Sequence, residues 1–281
     1  MESEDVNSQL SDGYLSIDAP AWISEFRRIH RHWFDLAQRV NRVGMTILKE
    51  CPPNNNVDQL LIIALLHMRG LQSFQSGILL AERGLAADGC SLARSTIENA
   101  FCAGALLKNE AKYLRLMTSQ YQKHRGATAR AIVGMKNLDE QTLTNRHRSN
   151  LNSVIRETSG YSGQWKWDAV AEEAEMMAGY DLIYRPLSAE ASHPTLGSLM
   201  RHISSDDSSE ITELKWYPDQ HGVDEAVAYL CNSYLFLADV TVRAFGHDVL
   251  SNEVAAVVQG FGDTYKKAPP APRYSSPDID L

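Results

Sequence analysis

Apolar residues recur four and three positions apart through the first long segment: Trp22, Phe26, Ile29, Trp33, Leu36, Val40, Val43 and Ile47. That spacing predicts one long amphipathic helix with a seam for packing along another helix. Asp18 and Pro20 mark its start, a capping side chain followed by a proline whose missing N–H costs nothing in a first turn. The prolines and asparagines of 51–56 end it. From about Val57 to Arg83 the chain is apolar on most sides, as expected of a helix in the middle of a bundle. A short break at Gly84–Gly89 precedes a further helix from about Cys90 to Leu107. Its Ala93, Thr96, Ala100, Ala103 and Gly104 are small enough to let neighbouring helices come close.

Further helices are predicted from about Glu110 into the 130s, from a cap at Asp139 through Glu157, and over Asp168–Ala178, closed by Gly179. The stretch 180–203 reads as two helical pieces meeting near His193–Pro194, because proline ends or restarts a helix. Long helices follow from about Val223 to Phe245 and from about Asp248 to Phe261. The aromatic stretch 159–167 is read as a packed loop rather than a lid, and 214–219 as a short extended piece. There is no internal repeat and no period-two pattern long enough for a sheet. The fold class is therefore all-α, a single multi-helix bundle over 18–263. It lies between a flexible tail at 1–17 and a proline-rich flexible tail at 264–281.

Composition changes this picture little. Hydrophobic residues make up 44 % and charged residues 22 % of the 281, ordinary for a globular protein. The cysteines (Cys51, Cys90, Cys102, Cys231) show no CxxC pair, and two fall on the apolar central helix, so buried thiols of a reducing compartment are expected. The acidic start lacks the basic and apolar regions of a signal peptide. The most apolar run, Leu60–Leu80, is interrupted by His67, Arg69, Gln72 and Gln75. The expected setting is the cytoplasm, without a membrane anchor.

Charge patterning adds more. The net charge of −8 disfavours strong non-specific binding to nucleic acid. Yet residues 112–148 carry eight Lys/Arg against two acids, and 168–225 carry thirteen acids against three Lys/Arg. Two solvated faces of opposite sign are the plainer reading. The sharper one is an anionic ligand, RNA included, on 112–148 and a self-contact between unlike faces.

Phosphate-loop, dinucleotide, zinc-protease and nucleophile-elbow signatures are all missing. Glu190 and His193 have ExxH spacing, but di-iron bundles use two such pairs with two further glutamates. They are read as a capping or surface pair, and no metal or cofactor is expected. Arg94 and Glu98 stand four apart, on one face of the central helix. They are either an ion pair that fixes helix register or an oxyanion anchor with Glu98 orienting Arg94. Tyr184, Arg185, Ser188 and His193 form a dense run of hydrogen-bonding groups. Among them His193 is the natural acid or base near neutral pH.

The strings LARSTIENAFCAGAL (92–106) and YDLIYRPLSAEASHPT (180–195) resemble a bacterial helical family known as domain of unknown function 5677. The resemblance rests on Arg94, Glu98, Tyr184, Leu187, Ser188, His193 and Pro194, and extends over roughly 60–245. It implies an all-helical domain and no activity. More distantly the arrangement is similar to HEPN domains, which include metal-independent ribonucleases of toxin and antiphage systems. These carry an Arg and a His four to six residues apart on one helix of a dimer, whereas Arg185 and His193 are further apart here. Two functions are expected on this basis. One is a non-catalytic interaction or sensor module of a bacterial defence or stress system, acting as a homo-oligomer or with a protein partner. The other is an endoribonuclease using His193 with Arg94 or Arg185.

Overall fold

A computed structural model describes residues 12–17, 19–53, 58–135, 143–163, 165–191, 195–205 and 211–270. Its helices are α1 (Ala19–Ile29), α2 (Arg31–Glu50), α3 (Asp58–Ala81), α4 (Ala86–Lys108), α5 (Glu110–Val133), α6 (Asn145–Glu157) and α7 (Trp167–Glu173). One turn, α8 (Met177–Gly179), leads into a wide π turn at Tyr180–Tyr184 and then α9 (Arg185–Ala191) and α10 (Leu196–Met200). A two-stranded antiparallel hairpin, β1 (Ile203–Ser205) and β2 (Ile211–Leu214), pairs Ile203 with Leu214. The chain closes with α11 (Val223–Ala244) and α12 (Asp248–Lys267). The all-helical expectation holds, with this small ribbon as its one strand feature among the described residues.

The core is a layered contact of α3, α4 and α11, with α2 and α12 packed on α11. Small residues set the spacing. An added Cβ at Gly70 would stand 2.1 Å from Leu237 Cδ2, and one at Gly77 would stand 2.4 Å from Leu230 Cδ2. Two glycines seven apart on α3 thus receive two leucines seven apart on α11, in opposite order, which makes the pair antiparallel. On α4, Gly104 lets Ala174 approach, with an added Cβ only 2.8 Å from that methyl group. Ala93, Ala100 and Ala103 are fully buried beside it.

The helix expected across 22–47 is interrupted at His30, whose φ −95 and ψ 27 leave helical geometry. The break turns α1 across the connection between α3 and α4. There Arg27 Nε donates to Glu82 Oε1 at 2.9 Å. Phe26 abuts Gly84, which has φ +78 and whose absent Cβ leaves room for the Asp219 backbone 2.7 Å away. An L side chain at this left-handed position would meet both penalties. The helix expected from Asp139 begins instead at Asn145, capped by the Thr144 side chain (His147 N–H donating at 3.3 Å). Asp18 and Asp139 lie outside the described residues. At the far end α12 runs to Lys267, four residues past the expected edge of the bundle.

Candidate functional site

Arg94 and Glu98 occupy successive turns of α4. Arg94 Nε stands 3.2 Å from Glu98 Oε1, and the two side chains are 19 % and 24 % exposed. The contact is one of charge: the buried Nε–H is not aligned on the oxygen as a hydrogen bond requires. The π turn presents Tyr184 to the same guanidinium. Arg94 Nη2 donates to the Tyr184 hydroxyl at 3.4 Å, and the guanidinium carbon lies 5.1 Å from the ring centre. Arg94 is therefore held by a carboxylate, a hydroxyl and an aromatic face.

The π turn has a local cause. Pro186 lacks an N–H, and its ring would collide with the carbonyl four residues earlier in a regular helix. A widened turn immediately before it relieves that contact. The same turn brings Tyr180 to 5.2 Å from Tyr184, stacked, and Phe101 to 6.2 Å, edge-on. Trp167 lies 6.0 Å from Tyr184 on another side and stacks on Trp165 at 5.6 Å, which in turn reaches Tyr113 at 6.3 Å. Of the stretch 159–167, the indoles of Trp165 and Trp167 pack in the wall beside Tyr184.

Burial raises the Glu98 carboxyl above its usual range, against the opposing pull of Arg94 and then Arg69. Arg69, exposed on α3, is a member of this cluster that sequence reasoning treated only as an interruption of an apolar run. One turn beyond Glu98, the Cys102 thiol is pushed up to about 12 by burial and by that carboxylate. A thiol so shifted is inert at neutral pH. Across the α4–α11 contact, Asn99 Nδ2 and Ser233 Oγ are buried without a hydrogen-bond partner among the described residues.

Of the residues singled out by sequence, Arg94, Glu98 and Tyr184 come together. Arg185 does not: its side chain is 67 % exposed, pairs with Asp181 at 3.3 Å and lies over Tyr180 at 5.7 Å. On a helix, neighbours in sequence point about 100° apart, so an inward Tyr184 sends Arg185 outward. Ser188 is half-buried one turn on, on α9 against α4, with no bond to Arg94, Glu98 or Tyr184 among the described residues. His193 and Pro194, and with them the Glu190–His193 spacing, fall outside the described residues.

Lysines around the start of α5 bond to groups within the chain. Lys108 Nζ donates to Glu175 at 2.7 Å, and Lys112 to Glu173, joining α4 and the start of α5 to the acidic end of α7. Lys123 donates to the Gly163 carbonyl at 3.1 Å. Of these contacts, Lys112–Glu173 joins the basic segment 112–148 to the acidic segment 168–225.

The arrangement defines a class: a helical bundle with a half-sealed Arg–Glu–Tyr cluster between its central helix and a π turn. The sequence profile of the family of unknown function DUF5677 matches residues 60–211, more than half of the chain. The chain belongs to that family. The match begins in α3 and ends in β2, before α11. No curated protein and no solved structure matches the chain. No helix among the described residues is long and apolar enough to cross a membrane.

Removing one partner of the cluster should cost more than removing both. Arg94→Met is expected to destabilise by about 2 kcal/mol, less than the roughly 3–5 kcal/mol of a sealed pair because part of each side chain stays wet. Adding Glu98→Gln should recover most of that loss, since no buried carboxylate is then stranded. Urea midpoints of the two variants check this; equal loss in both would mean that the pair is not coupled.

Proposed function

We propose that the protein is a non-catalytic helical interaction or sensor module, of the kind expected in a bacterial defence or stress system. The observation that carries this reading is the engagement of Arg94. A guanidinium meant to stabilise a phosphorane needs donors free to meet it, whereas this one is paired with Glu98 and Tyr184 and laid against an aromatic ring. Arg185, the other cation of the ribonuclease reading, is turned to solvent and paired with Asp181. Lys112 and Lys123, on the helix that would hold RNA, are bonded to protein groups. A buried polar cluster of this type fixes the relative placement of helices.

The test is incubation of the purified chain with total cellular RNA in EDTA, beside Arg94→Ala and His193→Ala variants. Intact RNA throughout is the expected result. Cleavage by the native chain that either substitution abolishes would replace this reading with a metal-independent ribonuclease.

A further inference from the structure

Helix α6 is held to the bundle through α5. Its half-buried Leu151, Val154 and Ile155 share one side, and Gly126 of α5 lets Thr158 in, where an added Cβ would stand 2.2 Å from the threonine Oγ1. The opposite side of α6 carries Asn145, Arg146, Ser149, Asn152, Ser153 and Arg156. Arg146, Ser149, Ser153 and Arg156 recur three, four and three apart, the period of one helix face. No apolar side chain and no acid interrupts them. The acid that follows, Glu157, accepts from Ser153 at 3.1 Å and stands 4.0 Å from Arg125 of α5. Arg146 and Arg156 are exposed, and their guanidiniums have no partner among the described residues. The wet side of an amphipathic helix needs only polarity, which mixed Lys and Glu pairs ordinarily supply. Here arginine, asparagine and serine supply it.

We propose that this face of α6 enters the major groove of duplex DNA, with Arg146 and Arg156 turned to backbone phosphates and Ser149 and Asn152 to the base edges between them. Charge selects the occupant. Residues 110–157 carry nine Lys/Arg against four acids, whereas the whole chain carries 27 against 35. The excess of acid thus lies elsewhere, so a polyanion is repelled from the rest of the surface and admitted at this hairpin. Side-chain chemistry selects a nucleic acid. Arginine, asparagine and serine bond phosphate oxygens and the donor and acceptor groups of base edges. Shape then selects the duplex. A helix with its side chains is about 10–12 Å across, and the major groove of B-DNA is about 12 Å wide. The major groove of duplex RNA is too deep and narrow to admit one. From Arg146 to Arg156 the face runs about 15 Å, enough to cross the DNA groove from one backbone to the other. The proposal gives the interaction-module reading a partner and rests on that reading only for its purpose.

Fluorescence anisotropy of the full chain with a labelled DNA duplex of about 20 base pairs, at about 50 mM salt, tests it. Binding is expected with a Kd of the order of 10 µM, and log affinity should fall against log salt with a slope of about −2, one for each arginine. Arg146→Gln and Arg156→Gln should each weaken binding about fivefold and bring the slope to about −1. Ser149→Glu should abolish binding with unchanged helical circular dichroism, since that side chain is exposed. Arg28→Gln, an exposed cation on α1, should change nothing. Three results overturn the proposal: no binding up to about 100 µM protein, a duplex RNA or polyglutamate bound as tightly as DNA, or binding indifferent to Ser149→Glu and both arginine substitutions. RNA cleavage is a separate readout. Cleavage with DNA bound would remove the module reading and leave this one, whereas intact RNA with DNA ignored would remove this one alone.

Discussion

Gly70→Ala is expected to lower stability by about 1–3 kcal/mol, the usual cost of forcing an extra carbon into a filled core. The new methyl group would overlap Leu237 Cδ2, at the end of a fully buried side chain. Leu237→Ala alone should cost about 2–5 kcal/mol through lost burial and a cavity. Together the two should cost less than their sum by about 0.5–3 kcal/mol, because the alanine methyl enters space that the leucine vacates. Gly77 and Leu230 should behave in the same way. The crossed pair, Gly70→Ala with Leu230→Ala, should be additive, since those sites lie about 10 Å apart along the helix pair. Urea midpoints at pH 7 give all the values. Additivity in the matched pairs would show that α3 and α11 do not meet in this antiparallel order.

These contacts also mark where the sequence was readable. The apolar character of α3, α4 and α11 made all three visible, and α11 begins at Val223 as expected. The small residues of α4 were visible as a packing surface. Gly70 and Gly77 were not, because a glycine in an apolar run shows only that space is needed and not what fills it. The break at His30 was hidden for a similar reason. The apolar seam runs on through Ile29 and Trp33, and a one-residue departure from helical geometry leaves that period intact. Its partners, Glu82 and Gly84, lie more than fifty residues away in sequence.

The site divides along the same line. Arg94 and Glu98 are four apart on one helix, so spacing alone placed them together. Tyr184 was singled out as one of a run of polar groups, but that run could not show which members turn inward. The π turn settles this, and no periodicity announces a π turn. The charge of Arg69 acts on Glu98 from a different helix, a tertiary relation that the sequence leaves unspecified.

Acid should weaken the fold through His67. Its ring is 2 % exposed, and Nε2 lies 2.7 Å from the Tyr234 hydroxyl. Phe74 stacks on Tyr234 at 5.1 Å, and Gly44 leaves room for the hydroxyl, since an added Cβ would stand 2.3 Å from it. Burial lowers His67 to about 4 from its ordinary 6.5, with no charged neighbour opposing. Burial likewise raises the Tyr234 phenol, so it keeps its proton. The folded chain therefore holds His67 neutral while the unfolded chain protonates it below 6.5. Between pH 6.5 and 4 the unfolded state binds the extra proton, so stability from this group is whole above 6.5 and drains away as the pH falls towards 4. The full swing is about 3 kcal/mol. His67→Gln offers a non-titrating amide to the same hydroxyl, and its stability relative to the native chain should rise by about that amount from pH 7 to pH 4. The comparison removes the carboxylates and the other histidines, which titrate in both proteins. A gap that stays constant across the window would mean that water reaches the ring, and that the contact of α3 with α11 is looser than the packing around Tyr234 requires.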